Sequence, residues 1–336
     1  MRINIIYSSY KTYYYQVISL CYSLRTMGIE SDVYCTDDIH KQYKDLAGYI
    51  YPDSDYYIVF TDIRVVNSQQ QISSDLFSIM HNIPKESKTI CILGEPIDFN
   101  SINQTIKNRT NYFKLVIERG IYDYVATRHF SLKQELDEQG LKTDGIISFG
   151  YSEVLEESFY HNIEKNINIH FCGDMYSFQH ENRRHNAISQ IENNGLSINC
   201  DLNMWLEDCC KKVSQSKIEL NIHGWSSEEL KRSYELARMV NAIMQKTLVV
   251  SEPIYNPCPY EDGEHLVFCD LNDMPNVCKY YLENDEERTK IVNSAFDFWK
   301  NKCRMDDYLY NFIVNNIDEH FEKKCLIEVE FPKILL

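Results

Sequence analysis

Polar side chains of types that can bind anions follow an alternating strand pattern in the middle of the second half of the chain. Residues 218–223 alternate apolar and polar, which predicts a strand that ends at His223. A helix that begins with acidic residues should follow and carry Glu235 and Arg238, and residues 248–251 form the next apolar run. Because helix starts and the carboxyl ends of parallel strands attract anions, this pattern predicts an anion-binding crevice.

Strand and helix patterns alternate along the rest of the chain, and each strand is short, apolar and bounded by turn residues. Such strands are typical of parallel sheets covered on both faces, so we expect an α/β fold. The predicted strands are 3–7, 32–35, 57–61, 89–93, 123–127, 145–149, 167–172, 197–200, 218–223, 248–251 and 266–269. The predicted helices include 14–27, 72–80 and most of the chain after 286.

These elements divide into two series, with a polar and acidic segment between them. We expect a first domain at 1–150, a linker at 151–166, a second domain at 167–315, and a tail at 316–336 that could pack back on the first domain.

Composition restricts the partners. The formal net charge of −16 over 336 residues argues against a nucleic-acid backbone as partner, since phosphates need clustered Lys and Arg. The 12 cysteines include no C-x-x-C pair, which favours reduced, structural thiols. No apolar run approaches the length of a membrane span or of a signal peptide, and we expect a cytoplasmic protein.

An ordered series of short motifs resembles the GT-B glycosyltransferases of bacteria, phages and large DNA viruses. In the second half the strings are HFCGDMYSFQHENRR, SKIELNIHGW, a helix with Glu-x-x-Arg, LVVSE and YEDGEHLVF; before them stand YDYVATRHFSLKQELDEQG and ISFGYSE. The resemblance implies two Rossmann-like domains with parallel sheets facing a central cleft, and a nucleotide sugar bound by the second domain. The loop SSYKTYYY lacks the glycines that many members have there, and the paired Glu residues of many retaining members are absent, so the stereochemistry stays open.

The resemblance implies roles for the charged residues of the second half. Arg183, Arg184 and Arg238 would contact the phosphates, and Glu235 would accept hydrogen bonds from the ribose hydroxyls. The alternative for Arg183 and Arg184 is an exposed helix start, and for Glu235 an ordinary surface pair with a nearby arginine.

Residues at the strand ends complete the expected donor site. Gly173 would let the backbone approach the nucleotide, with Asp174 beside it, although a plain strand-ending turn is the competing interpretation. His223 would bond a phosphate or the donor sugar, and Ser251 or Glu252 would bind that sugar.

Two carboxylates of the first half are candidates for the catalytic base. Glu95 ends a buried strand in LGEP, at a position comparable with the catalytic carboxylate of phage DNA β-glucosyltransferase. Asp62, in FTDIR one strand earlier, is its rival, and a capping role for Glu95 is the alternative.

The predicted activity is transfer of a sugar from a UDP- or GDP-sugar to a hydroxyl of a glycan or glycoprotein. No Asp-x-Asp pair marks a metal site at a strand end, so we expect neither a metal nor another cofactor. The alternatives are a glucosyltransferase acting on a modified DNA base and a catalytically silent scaffold that binds a nucleotide sugar or glycan.

Overall fold

The computed structural model describes residues 1–7, 10–36, 49–60, 79–94, 104–173, 182–201, 204, 206–223, 236–254 and 256–324. The chain forms two compact units. The first consists of Met1–Val154 together with the segment that starts at Arg304, and the second is Leu155–Cys303.

The first unit contains a parallel six-stranded sheet in the order β2-β1-β3-β4-β5-β6. Its strands are β1 (Ile3–Tyr7), β2 (Val33–Cys35), β3 (Tyr56–Phe60), β4 (Lys88–Leu93), β5 (Tyr124–Thr127) and β6 (Gly145–Ile146). The central strands are apolar and almost entirely buried because helices cover both faces, as the sequence pattern predicted.

The helices described in this unit are α1 (Tyr10–Thr26), α2 (Gln104–Glu118), α3 (Phe130–Glu138) and, after the second unit, α9 (Met305–Asn316). Leu20 and Leu24 of α1 share one core cluster with Leu309 and Phe312 of α9. The same cluster contains buried strand residues from one face of the sheet. This helix, the last one in the described part of the chain, therefore completes the core of the first unit.

The second unit contains a parallel five-stranded sheet in the order β11-β10-β9-β7-β8. Its strands are β7 (Ile167–Cys172), β8 (Ile198–Asp201), β9 (Ser216–Asn221), β10 (Leu248–Ser251) and β11 (Val267–Phe268). The helices described here are α4 (Arg183–Asn193), α5 (Leu206–Ser214), α6 (Leu236–Met244), α7 (Met274–Glu283) and α8 (Asp285–Lys302). A 3₁₀ helix at Glu153–Ser158 contains the boundary between the two units in the sequence.

The predicted α/β fold is confirmed, and the differences lie at the ends of elements. The edge strands β6 and β11 are shorter than predicted, and β9 ends at Asn221 rather than at His223. Helix α1 begins at Tyr10, earlier than predicted, and most of the predicted helix at 72–80 lies outside the described residues. Within the described part of the chain, no helix is both long and apolar enough to cross a membrane.

Candidate functional site

The carboxyl ends of β7, β9 and β10 meet at one edge of the second sheet. Parallel pairing places Asn221 directly beside Ser251, and the next residues along the two strands are Ile222 and Glu252. Ser251, Glu252 and His223 are all buried although they are polar. Buried polar groups need partners, so this edge is held by hydrogen bonds rather than by apolar packing alone.

Glu252 joins the end of β10 to the loop after β9 and to the start of α4. Its carboxylate accepts hydrogen bonds from both terminal nitrogens of Arg183, one of them at 2.6 Å, and from the backbone N–H of His223 at 2.7 Å. Arg183 also donates to the His223 carbonyl at 3.1 Å. The backbone of His223 is thus fixed on both sides. In the described structure the Arg183 guanidinium is engaged by a carboxylate rather than exposed at a helix start.

Arg184, the next residue, turns its side chain into the unit and is 4% exposed. Its Nε donates to the Ile222 carbonyl at 3.1 Å, and its guanidinium lies 5.6 Å from the centre of the Phe171 ring. Arg183 and Arg184 therefore bind successive carbonyls after β9 and fasten the N-terminal turn of α4 to this strand end.

Arg238 on α6 reaches across the ends of β7 and β9. Its Nε donates to the Cys172 carbonyl at 2.9 Å, and its Nη1 donates to Asn221 Oδ1 at 2.9 Å. Its guanidinium lies 5.2 Å from the Phe171 ring centre, so this ring is in contact with two arginines. Among the described residues no hydrogen bond uses Nη2, which leaves a fixed cationic donor at the strand ends.

Gly173 leaves room for the Arg238 guanidinium. A Cβ at this residue would lie 3.0 Å from Arg238 Nη2 and 3.1 Å from Phe171 Cζ, closer than side-chain atoms ordinarily approach. The absence of a side chain lets the guanidinium lie directly against the backbone at the end of β7. Gly173 and Arg238, predicted separately, are brought together here.

Ser251 lies beneath this edge and is completely buried. Its hydroxyl accepts a hydrogen bond from the Asn221 side-chain amide at 3.0 Å and donates to the Glu252 carbonyl at 2.8 Å. Asn221 thereby connects Ser251 with Arg238. Asn221 was not among the predicted site residues, although it is a polar residue at the carboxyl end of a parallel strand, and that position could have identified it.

A second set of residues missed by the sequence analysis lies inside the sheet, two residues before Cys172. His170 Nδ1 is 2.5 Å from Glu219 Oε2, and His170 Nε2 is 3.1 Å from Asp201 Oδ2. Burial lowers the pKa of His170, but the charge and hydrogen bond of Glu219 and the hydrogen bond of Asp201 outweigh it and raise the pKa to about 9. No local sequence pattern marked this set, because His170 and Glu219 face each other from two strands that are adjacent only in the folded sheet.

The remaining predicted site residues are Glu95, Asp62, Asp174 and Glu235, and they lie outside the described residues. The roles assigned to Arg183, Arg184, His223, Ser251 and Glu252 as donor ligands stay predictions. Within the described ranges, no group of three or more His, Cys, Asp or Glu side chains could hold a metal ion.

Comparison with known proteins finds similarity in structure only. No protein-family model matches the sequence, and no curated protein matches it. The structure of HepE from Anabaena in complex with UDP and glucose matches with a TM-score of 0.60 at 10% identity, over 93% of this chain and 98% of HepE. A UDP-N-acetylglucosamine 2-epimerase matches with a TM-score of 0.52 at 11% identity, over 96% and 98% of the two chains.

TarM matches with a TM-score of 0.56 at 13% identity, over 78% of this chain. The matched region spans 54% of TarM, so this chain corresponds to about half of that protein. At these identities the similarity concerns the fold. Together with the two parallel sheets described above, the matches confirm that this protein has the GT-B fold.

Proposed function

We propose that this protein is a glycosyltransferase that moves a sugar from a UDP- or GDP-sugar to a hydroxyl group of a glycan or glycoprotein, without a metal ion. The observation that carries the proposal is the placement of Arg238. Its guanidinium is fixed against the glycine at the end of β7, with Nη2 unused by the described residues. A fixed cation at the carboxyl edge of a parallel sheet suits a nucleoside diphosphate.

The reaction requires stabilisation of the diphosphate as it leaves. The bond between the anomeric carbon of the sugar and the donor phosphate oxygen breaks, and a bond from that carbon to the acceptor oxygen forms. Arg238 would neutralise the charge that develops on the diphosphate, because its guanidinium is already oriented and does not have to reorganise. Gly173 would let the phosphates approach the backbone, and the resemblance assigns the ribose to Glu235.

The proton of the acceptor hydroxyl would pass to a carboxylate of the first unit. Glu95 and Asp62 are the two candidates, and the sequence leaves both open. Either variant, Glu95→Gln or Asp62→Asn, should lower transfer strongly if that residue is the base, with nucleotide affinity little changed, because the nucleotide is assigned to the second unit.

The structural relatives support a nucleotide-sugar substrate, and one of them names a rival reaction. HepE has this fold and was crystallised with UDP and glucose, whereas the epimerase has the same fold and a different activity on UDP-N-acetylglucosamine. The motif series of the sequence resembles glycosyltransferases and favours transfer. The net charge of −16 disfavours the alternative of a DNA-base acceptor.

A binding and turnover screen tests the proposal. The purified chain is incubated with UDP-, GDP-, ADP- and CMP-sugars; the melting temperature, nucleotide release and the configuration of the recovered sugar are measured. We expect stabilisation and slow nucleotide release with a UDP- or GDP-sugar. Epimerised sugar would assign the rival reaction, stabilisation without turnover even with glycan acceptors would favour the scaffold, and no response to any donor would contradict the proposal.

Arg238→Ala and a matched arginine variant locate the site. Losing a charge-assisted hydrogen bond should weaken UDP or GDP binding by about tenfold to a hundredfold. Arg288→Ala is the control, since Arg288 is also buried in the second unit, where it donates to the Tyr281 carbonyl at 2.6 Å and pairs with Asp285 at 2.7 Å. Equal affinity of the wild type and Arg238→Ala for the nucleotide would show that the site lies elsewhere.

A further inference from the structure

The buried side chains of His170 and Glu219 and the partly exposed side chain of Asp201 form a polar network beneath the strand ends that Arg238 contacts. The His170 side chain is fully buried, and so is nearly all of Glu219. Each ring nitrogen of His170 faces a carboxylate oxygen. A carboxylate can only accept, and a neutral imidazole has one N–H, so both contacts are hydrogen bonds only when the ring carries two protons.

Glu219 links this network to the backbone at the end of β7. While Oε2 faces His170, Oε1 accepts a hydrogen bond from the Cys172 N–H at 3.3 Å. The carbonyl of the same Cys172 accepts from Arg238 Nε at 2.9 Å. A continuous series of contacts therefore runs from the His170 ring through Glu219 and the Cys172 backbone to the guanidinium.

We propose that His170 is a positioning residue for the diphosphate site, because its doubly protonated ring holds Glu219, and Glu219 holds the backbone on which Arg238 rests. The ligand part of this inference depends on the proposed function, since it takes the diphosphate to be bound by Arg238. His170 itself acts only through its neighbours and touches no substrate.

The charged and titratable groups around His170 lie on its own strand and on the neighbouring strands and helices. Asp201 lies on β8 and Glu219 on β9, and both favour the protonated ring. Cys172 lies on the same strand; a hydrogen bond with Cys209 of α5 lowers the pKa of its thiol, and the charges of Arg238 on α6 and of His170 act in the same direction. Loss of the His170 proton should consequently be felt at Cys172 and Arg238.

Two measurements on the full chain test the inference, and one of them needs no nucleotide. In the first, ¹⁵N NMR follows the Cys172 and Gly173 amides and Arg238 Nε from pH 7 to 10. We expect their shifts to change together with a midpoint near 9 in the wild type, and this change to be absent in His170→Gln. Glu219→Gln retains an acceptor for the Cys172 N–H and removes the charge, so it should move the midpoint towards the ordinary histidine range.

In the second measurement, the affinity for UDP and GDP is determined at pH 7 and pH 9.5. Because the uracil and guanine rings also lose protons in this range, the wild type is always compared with variants at the same pH. His170→Gln should bind the preferred nucleotide about tenfold more weakly at pH 7, the scale of one lost charge-assisted hydrogen bond. The difference should shrink at pH 9.5, where the wild-type ring is largely neutral.

His161→Gln is the matched control. His161 belongs to the same unit, but its ring contacts the Met244 carbonyl at 2.8 Å, at the opposite end of α6 from Arg238. It should bind nucleotide as the wild type does at both pH values.

The outcomes separate the two proposals. If the Cys172 and Arg238 resonances ignore the titration of His170, or if His170→Gln binds nucleotide with wild-type affinity, the positioning role is wrong. If the resonances respond as expected but the wild type binds no nucleoside diphosphate, the proposed function fails while the link from His170 to Arg238 stands. If His170→Gln folds poorly, the midpoint of the wild-type NMR titration and its change in Glu219→Gln still test the positioning role.

Discussion

The protonated state of His170 should appear in the pH dependence of stability. Its pKa is raised from 6.5 to about 9 in the folded protein, so the folded state binds more protons than the unfolded state between these values. The stabilisation is fully present below pH 6.5 and is lost as the pH rises through 9. The difference between the two pKa values corresponds to about 3 kcal/mol of unfolding free energy.

Lys165 has the opposite effect and would hide this loss in the wild type alone. Burial, and to a smaller extent the charge of Arg288, lowers the pKa of Lys165 from 10.5 to about 7. The unfolded state then binds more protons above pH 7, and stability rises with pH over part of the same range. The informative quantity is therefore the difference between wild type and His170→Gln, and Lys165→Met should make the loss from His170 visible directly.

Urea unfolding followed by tryptophan fluorescence measures this difference. All three tryptophans of the sequence, residues 205, 225 and 299, lie within the second unit, so their emission reports on the unit that contains His170. We expect the advantage of the wild type over His170→Gln to decrease by about 3 kcal/mol between pH 6.5 and 9.5.

His161, whose pKa is shifted in the opposite direction, provides a control for the direction of the pH dependence. Burial lowers the pKa of His161, so its contribution should be lost when the pH falls below the ordinary histidine range, and His161→Gln should follow the wild type above pH 7. Parallel stability curves for wild type and His170→Gln from pH 6.5 to 9.5 would refute the protonated network.

Two further predictions concern the strand ends. Arg183 and Glu252 form a paired, largely buried contact. A double-mutant cycle with Arg183→Ala and Glu252→Ala should therefore give a coupling free energy of about 1.5–3 kcal/mol in urea unfolding. A coupling free energy below about 0.5 kcal/mol would contradict the contact. A Cβ at Gly173 would displace the Arg238 guanidinium or the Phe171 ring. Gly173→Ala should therefore weaken nucleotide binding, measured by calorimetry, by about tenfold. Unchanged affinity would mean that phosphate binding does not depend on the close approach of Arg238 to the backbone at Gly173.

Much of the fold could be predicted from the sequence because it is recorded in local patterns. Each buried parallel strand is a short apolar run, and β1, β7 and β10 begin and end at the predicted residues. The edge strands β6 and β11 were predicted too long, since an apolar run continues past the point where pairing ends. The pattern of a single sequence predicts well which residues are buried. It predicts poorly how many strands pair with a given strand.

The candidate site was predictable only in part, for a different reason. Gly173 and Arg238 were proposed as site residues because the motifs that contain them resemble those of GT-B glycosyltransferases, and the structure brings the two residues into contact. The network of His170, Glu219 and Asp201 depends on which strands are adjacent in the sheet, and the local sequence of a strand does not determine its neighbours. The ion pair of Arg183 with Glu252 likewise joins residues far apart in sequence, and no spacing rule relates them.

The position of α9 in the core of the first unit has a consequence for synthesis on the ribosome. The second unit is one uninterrupted stretch, Leu155–Cys303, and all its described strands are translated before α9. The first unit, by contrast, must wait with the apolar side chains of Leu20 and Leu24 uncovered until Leu309 and Phe312 arrive. A chain that ends at residue 303 and has been released from the ribosome should therefore contain a complete second unit and an incomplete first unit, so its N-terminal half should be the more sensitive to proteases.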